Sequence, residues 1–223
     1  LEEALEKNKR SRLGAKFTMK LDTKQIGRIA AQSGKNLIHQ AINDAVKAQM
    51  MEQYKSKLNE VVPAVVQKVE PKTGNVTVEI GKNEVILFKN EQIPGEELVE
   101  GQRIKVYVND VVSSERRCSI KISRTHRDLV KRLFEQEVPE IFDGSVEVKS
   151  ISREAGSRTK IAVYSKDENI DPVGACIGPK GMRVANIVNE LHGEKIDVVR
   201  YSENPEEFIS QALSPADVLK VEI

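Results

Sequence analysis

The sequence predicts a multidomain α+β chain. A long N-terminal helix leads into a small five-stranded β-barrel, then an α-β-β-α-α-β domain and the first strand of another. Three observations carry this prediction. Residues 22–58 keep apolar side chains at helical spacing with no proline between them. Five short β-branched runs, separated by turn-forming clusters, fill 59–124. Beyond 125, helical and strand patterns alternate. At 223 residues there is room for two or three small domains, and a 39% hydrophobic content can supply their cores.

The first segment, "DTKQIGRIAAQSGKNLIHQAINDAVKAQMMEQYKSKL", reads as one helix capped by Asp22 or Thr23. Ile26, Ile29, Ala30, Leu37, Ile38, Ala41, Ile42 and Ala45 recur at its period. Gly27 and Gly34 each cost about 1 kcal/mol relative to alanine, which predicts close packing or a bend at these positions. Such a helix reaches roughly 50 Å and suits a bundle or a spacer between domains. Residues 1–58 hold 12 Lys and Arg against 6 Asp and Glu, so this end is basic.

The strand runs are "VVPAVVQKV", "GNVTVEI", "NEVILFK", "QRIKVYVNDVV" and "CSIKIS". Five strands in about 65 residues suit a closed barrel of the OB type, which removes exposed sheet edges. Its charges balance, and the acidic "PGEELVEG" is expected on a loop away from any RNA face. In the third region "HRDLVKRLFEQEVPEIF" is a helix ended by Pro139, and "SVEVKSIS" and "RTKIAVYS" are strands around the turn "REAGS". A short apolar helix "DPVGACI", the loop "GPKG", the helix "MRVANIVNEL" and the strand "KIDVVRY" follow. The helix "PEEFISQAL" and a strand in "VLKVEI" close the chain, which reads as a piece of something longer. Expected boundaries are 1–58, 59–124, 125–214 and 215–223.

Several function classes fall away. Cys118 and Cys176 lack metal-ligand or redox spacing, and no secretory leader or long apolar run is present. A reduced, cytoplasmic setting without membrane insertion is expected. His39, His126 and His192 share no ligand spacing, and no nucleophile–base pattern appears, so neither an enzyme nor a metal or other cofactor is expected. The chain has no Trp and only 4 Tyr and 5 Phe, so a single strand would be held with little ring stacking.

The glycine-rich run around Gly174–Gly181 handles phosphate, but not that of a nucleotide. A P-loop needs Ser or Thr after its lysine, whereas Gly181 follows Lys180, and Pro179 removes a backbone donor. The remaining pattern is a Gly-x-x-Gly loop between two helices: Gly178, Pro179, Lys180, Gly181. Two glycines admit a sugar–phosphate backbone without Cβ atoms in the way, and Lys180 supplies charge. Val173, Ile177, Val184 and Ile187 would line the adjacent base groove, with Arg183 as a further contact. This is how KH modules clamp single strands.

The resemblance then extends along the chain. The α-β-β-α-α-β order is that of the type II KH fold, and the barrel ahead of it, ending in "IKISR", resembles the RNA-binding barrel of ribosomal protein S-one. "GRIAAQSGKNLI", "EQIPGE", "ISRTH", "RLFEQEVPEIFDGSVEVKSISREAGSRTKIAV" and "DPVGACIGPKG" together resemble the NusA family of bacterial transcription termination/antitermination factors. That resemblance implies a polymerase-binding N-terminal domain, of which 1–58 would be the last part, and a second KH domain beginning at 215. It implies nascent single-stranded RNA, RNA polymerase and other termination or antitermination factors as partners. The competing class is an RNA-binding subunit of an exosome-like or phosphorolytic assembly. On the barrel, Phe88 and Tyr107 are the strand aromatics available for stacking, and Arg103, Lys105, Arg116 and Arg117 are candidate phosphate contacts. Arg153, Arg158 and Lys160 flank the hairpin of the KH domain, where a plain surface hairpin explains them equally well.

Overall fold

The computed structural model describes residues 27–113, 118–167 and 169–223. Contacts divide the chain into two units, 1–48 and 49–223. Helix α1 (Arg28–Lys55) starts in the first and continues unbroken through Gly34. A Cβ on Gly27 or Gly34 would meet nothing within 4 Å, so close packing does not explain either glycine. Asp22 and Thr23, the expected caps, lie outside the described residues. Leu37, Ile38, Ile42 and Val46 form an exposed apolar stripe along α1.

The second unit begins with the last turns of α1. Tyr54 is buried among the barrel valines and isoleucines. Its hydroxyl donates to the Ile80 carbonyl (2.8 Å) and accepts from the Asn83 amide (3.0 Å). The barrel consists of β1 (Val61–Val69), β2 (Val76–Ile80), β3 (Asn83–Leu87), β4 (Arg103–Ser113) and β5 (Cys118–Ser123). Their order is β3-β2-β1-β4-β5, all antiparallel, and β3 and β5 approach each other so that the barrel nearly closes. Strict alternation sends Val76, Val78 and Ile80 inward. Pro63 is tolerated in a central strand because β1 is flanked there by β4 alone, its pairing with β2 starting only at Val65.

The remaining elements form a mixed sheet packed against helices. Helix α2 (Arg127–Glu137) is capped by His126, whose Nδ1 accepts from the Asp128 N–H. The helix ends before Pro139, as expected, but a second, short helix follows at once. Val138, preceding a proline, is extended, and Pro139 opens the short helix α3 (Pro139–Phe142) at the one helical position where its missing N–H costs nothing. Strands β6 (Val146–Glu154) and β7 (Arg158–Ser165) pair antiparallel, and β7 pairs parallel with β8 (Lys195–Arg200). Between β7 and β8 lie α4 (Pro172–Ile177), a 3-10 turn over Pro179–Gly181, and α5 (Met182–Glu190). Helix α6 (Pro205–Ala212) follows β8. This is the expected type II KH order. Residues 215–223 form no strand, since no neighbouring strand pairs with them.

Barrel and KH region share a core. Val61, Ile93 and Tyr107 of the barrel are buried with Leu129, Leu133, Phe134, Ile161 and Leu191 of the KH region. The Tyr107 ring stacks flat on His126 (centroids 4.7 Å, 4°).

Arg124 closes the junction, with its side chain only 1% exposed. Its Nε and Nη2 bond the two carboxylate oxygens of Glu96, at 2.9 and 2.6 Å. Nη1 reaches the Lys105 carbonyl (2.5 Å) and Glu190 Oε1 (3.1 Å), and Nη2 also donates to the Glu190 carbonyl (2.8 Å). The acidic loop is therefore not merely a solvated turn: Glu96 is drawn inside. A second buried fork joins Arg153 to Glu194, both bonds 2.9 Å, with the Thr159 hydroxyl and Gly156 N–H also donating to that carboxylate. Burial opposes the charged form of Glu194, but these donors outweigh it and hold the carboxyl below its ordinary value.

Arg124→Met should cost about 3–5 kcal/mol by urea denaturation, because it leaves Glu96 buried and unpaired; adding Glu96→Leu should recover part of that loss. Glu194→Gln should cost about 3 kcal/mol at neutral pH. Because the folded carboxyl titrates lower than the unfolded one, its stabilisation is complete above about pH 4.3 and is lost as pH falls through the folded value. The gap between native and variant denaturation midpoints should narrow on acidification in that window.

Candidate nucleic-acid interface

Helix α4 starts where Asp171 accepts from the N–H groups of Val173 and Gly174, and Pro172 takes the first helical position. It ends at Gly178, whose N–H donates to the Gly174 carbonyl. Gly178 sits at φ 72°, ψ 178°, a region open almost only to glycine. A Cβ there would lie 2.7 Å from Arg183 Cγ and Cδ. Gly181 (φ 74°, ψ 12°) is a left-handed cap with open space around it. Between them Lys180 is also left-handed (φ 53°, ψ 24°), a conformation that strains a lysine. Pro179 and Lys180 are exposed, and Lys180 makes no ion pair among the described residues.

The loop therefore holds its cation outward at the start of α5. No side chain caps α5; the Gly181 and Met182 N–H groups close the turn onto the Gly178 and Pro179 carbonyls. Ile177 (39% exposed) and Met182 (61%) flank the loop, while Val173 and Val184 are half-buried against the core. Ile187 is fully buried and belongs to the core, not to a groove wall. Helix α4 packs beside β8, whose Ile196 and Val198 are half-buried in the same way. Arg200 at the end of β8 is exposed and pairs with Asp171 (2.9 Å).

Several expected contacts have other employment. Arg183 is neither a free phosphate ligand nor a solvated charge: its Nη1 bonds Glu140 (2.9 Å) and the Ala175 carbonyl (2.6 Å), and its stem packs on Gly178. Arg153 is locked in the buried pair with Glu194. Lys160 donates to the Ala212 and Ser214 carbonyls, closing the end of α6. Arg158 pairs with Asp197 at the surface. Lys105 lies at the barrel–KH junction, its ammonium on Gln136 (3.0 Å) and its N–H on Glu190 (2.9 Å). Tyr107, 3% exposed, cannot stack a base. Phe88 (50% exposed) and Arg103 remain accessible on the barrel, while Arg116 and Arg117 lie outside the described residues. Cys176 is a buried core residue whose thiol burial pushes up to about 12, so it is inert at neutral pH.

The junction residues Arg124, Glu96 and Glu190 escaped the sequence reading. A composition-level signal existed only for Arg124, which ends an apolar strand where a charge must find partners. Among the described residues no cluster of His, Cys, Asp or Glu could hold a metal, and no helix is long and apolar enough to cross a membrane.

A nearly closed five-stranded barrel thus shares its core with a mixed-sheet domain that carries an outward Gly-x-x-Gly loop between two helices. Residues 124–201 match the NusA-like first KH domain. The chain is similar to the transcription termination/antitermination protein NusA of Halalkalibacterium halodurans, 46% identical over 200 residues, which are 90% of this chain and 52% of that protein. The same-named protein of Bacillus subtilis is 45% identical over 94% of this chain and 56% of its own length. That of Thermus thermophilus is 41% identical over 100% and 57%. The chain is a homologue of the NusA proteins and spans about half the length of these relatives.

The two loop glycines should not be equivalent. Gly181→Asn should leave the melting temperature and RNA affinity nearly unchanged, since asparagine accepts the left-handed region. Gly178→Asn should lower both, by about 1–3 kcal/mol of stability, read by thermal melting and fluorescence anisotropy.

Proposed function

We propose that this chain is an RNA-holding part of a cytoplasmic transcription elongation factor. It clamps nascent single-stranded RNA while the factor contacts RNA polymerase and modulates pausing, termination and antitermination. The observation that carries this reading is the strained, outward Lys180 between Gly178 and Gly181, at an uncapped helix start in a domain matched to the NusA-like first KH domain. A sugar–phosphate backbone would approach the two glycines with its phosphates on Lys180, and the apolar surfaces of Ile177 and Val184 would take bases. Phe88 and Arg103 extend the footprint onto the barrel. Because the barrel is packed on the KH region through one core, a strand held at one surface meets the other at raised local concentration.

The residues do binding chemistry and not bond-breaking chemistry, in keeping with relatives named for transcription termination and antitermination. The degradative alternative draws no support from these relatives. The basic region 1–58 suits an acidic protein surface, with the polymerase and other termination or antitermination factors as partners.

Fluorescence anisotropy with a short unstructured RNA, at several salt concentrations, tests the clamp. Pro179→Asp with Lys180→Asp should weaken binding at least about tenfold and make the dependence of affinity on salt shallower by about one phosphate contact, with an unchanged circular dichroism spectrum. Unchanged affinity would move the RNA to the barrel or to the basic N-terminal region.

A further inference from the structure

At the other end of α4 from the loop, a surface cavity of about 460 Å³ opens between the β7–α4 connection and the end of β8. Tyr164 and Tyr201 both line it. Their rings meet edge to face, 6.4 Å apart at 89°, and each is partly buried. Both are braced from behind. Tyr201 leans on Phe208 of α6 (5.1 Å), and the Lys149 ammonium sits 5.2 Å over Tyr164. Among the described residues this is the one cluster of three Phe or Tyr rings, in a chain with 9 Phe and Tyr and no Trp.

The rim has the chemistry of a nucleotide. Lys166 and Arg200 stand there in exposed pairs with Glu147 and Asp171. Such exposed pairs contribute little and exchange readily for phosphate. The Asn169 amide, at 2.8 Å from Asp167, places donors and acceptors beside the rings for a base edge. Asp171 and Pro172 belong to this cavity and also open α4, whose six residues span about 9 Å to the loop. A strand clamped at Gly178–Gly181 and running along α4 and β8 therefore arrives here.

We propose that this cavity is a base-binding subsite for single-stranded RNA: a nucleobase stacks on the Tyr201–Tyr164 pair while Lys166 and Arg200 take its flanking phosphates. The subsite rests on the clamp reading above and adds a ring platform to it.

The test compares a four-nucleotide RNA, the length a KH groove holds, with RNAs of about eight nucleotides extended at either end. One of the two extended RNAs should bind the native chain at least about fivefold more tightly than the short one, the gain expected from one stacked base. Tyr201→Leu and Tyr164→Leu, checked for folding by circular dichroism, should remove most of that gain and leave the short RNA unaffected. Tyr201→Phe should keep it. With the native chain, an extension built of abasic nucleotides should lose most of the gain and keep only what the flanking phosphates supply, which keeps the test independent of any folding defect in the variants. Absence of a gain with length, or a gain undiminished by abasic extension or by loss of the rings, overturns the subsite and leaves the clamp standing. If the Asp substitutions at 179 and 180 leave the short RNA's affinity unchanged, the clamp itself fails.

Discussion

One buried guanidinium organises the larger unit. Stripped of water, Arg124 requires an acceptor for each of its donors, and those acceptors come from three places: Glu96 on the barrel's acidic loop, the Lys105 carbonyl on β4, and Glu190 at the end of α5. Satisfying the charge fixes all three at once. Helix α5 is thereby anchored at its last turn, and its first turn carries the Gly-x-x-Gly loop. The loop's position relative to the barrel is consequently set by an interaction a whole helix away from it.

The loop itself shows a division of labour. Arg183 lies flat against Gly178 and ties α5 to α3 and α4 through Glu140 and the Ala175 carbonyl. Its charge is consumed in holding the turn, which leaves Lys180 as the outward cation. The strained backbone at Lys180 is thus supported by a residue that resembles a ligand in sequence and acts as a brace in the fold.

Much of this was legible in the residues. The five strand runs and the two helices around "GPKG" carry period-2 and helical apolar patterns, and burial follows those periods directly. The loop was legible because glycine and proline constrain the backbone locally. What sequence could not show is the employment of individual charges and rings. Arg153 and Glu194 are 41 residues apart, and Arg124 and Glu190 are 66 apart, so no local pattern announces either pair. The partners of Lys105, Lys160 and Tyr107 are hidden for the same reason, since each is met only after distant elements pack. Pro139 was read as a stop, and the fold also uses it as a start. Tyr164 and Tyr201 form a pair only because parallel pairing sets β7 beside β8.

The shared core has a consequence for the order in which the protein is made. Val61, Ile93 and Tyr107 are translated well before the helices that cover them. A barrel folded as it leaves the ribosome would present these side chains to water, together with Glu96 still waiting for its arginine. The stretch matched as a KH domain, 124–201, is therefore narrower than the stretch that shares one core.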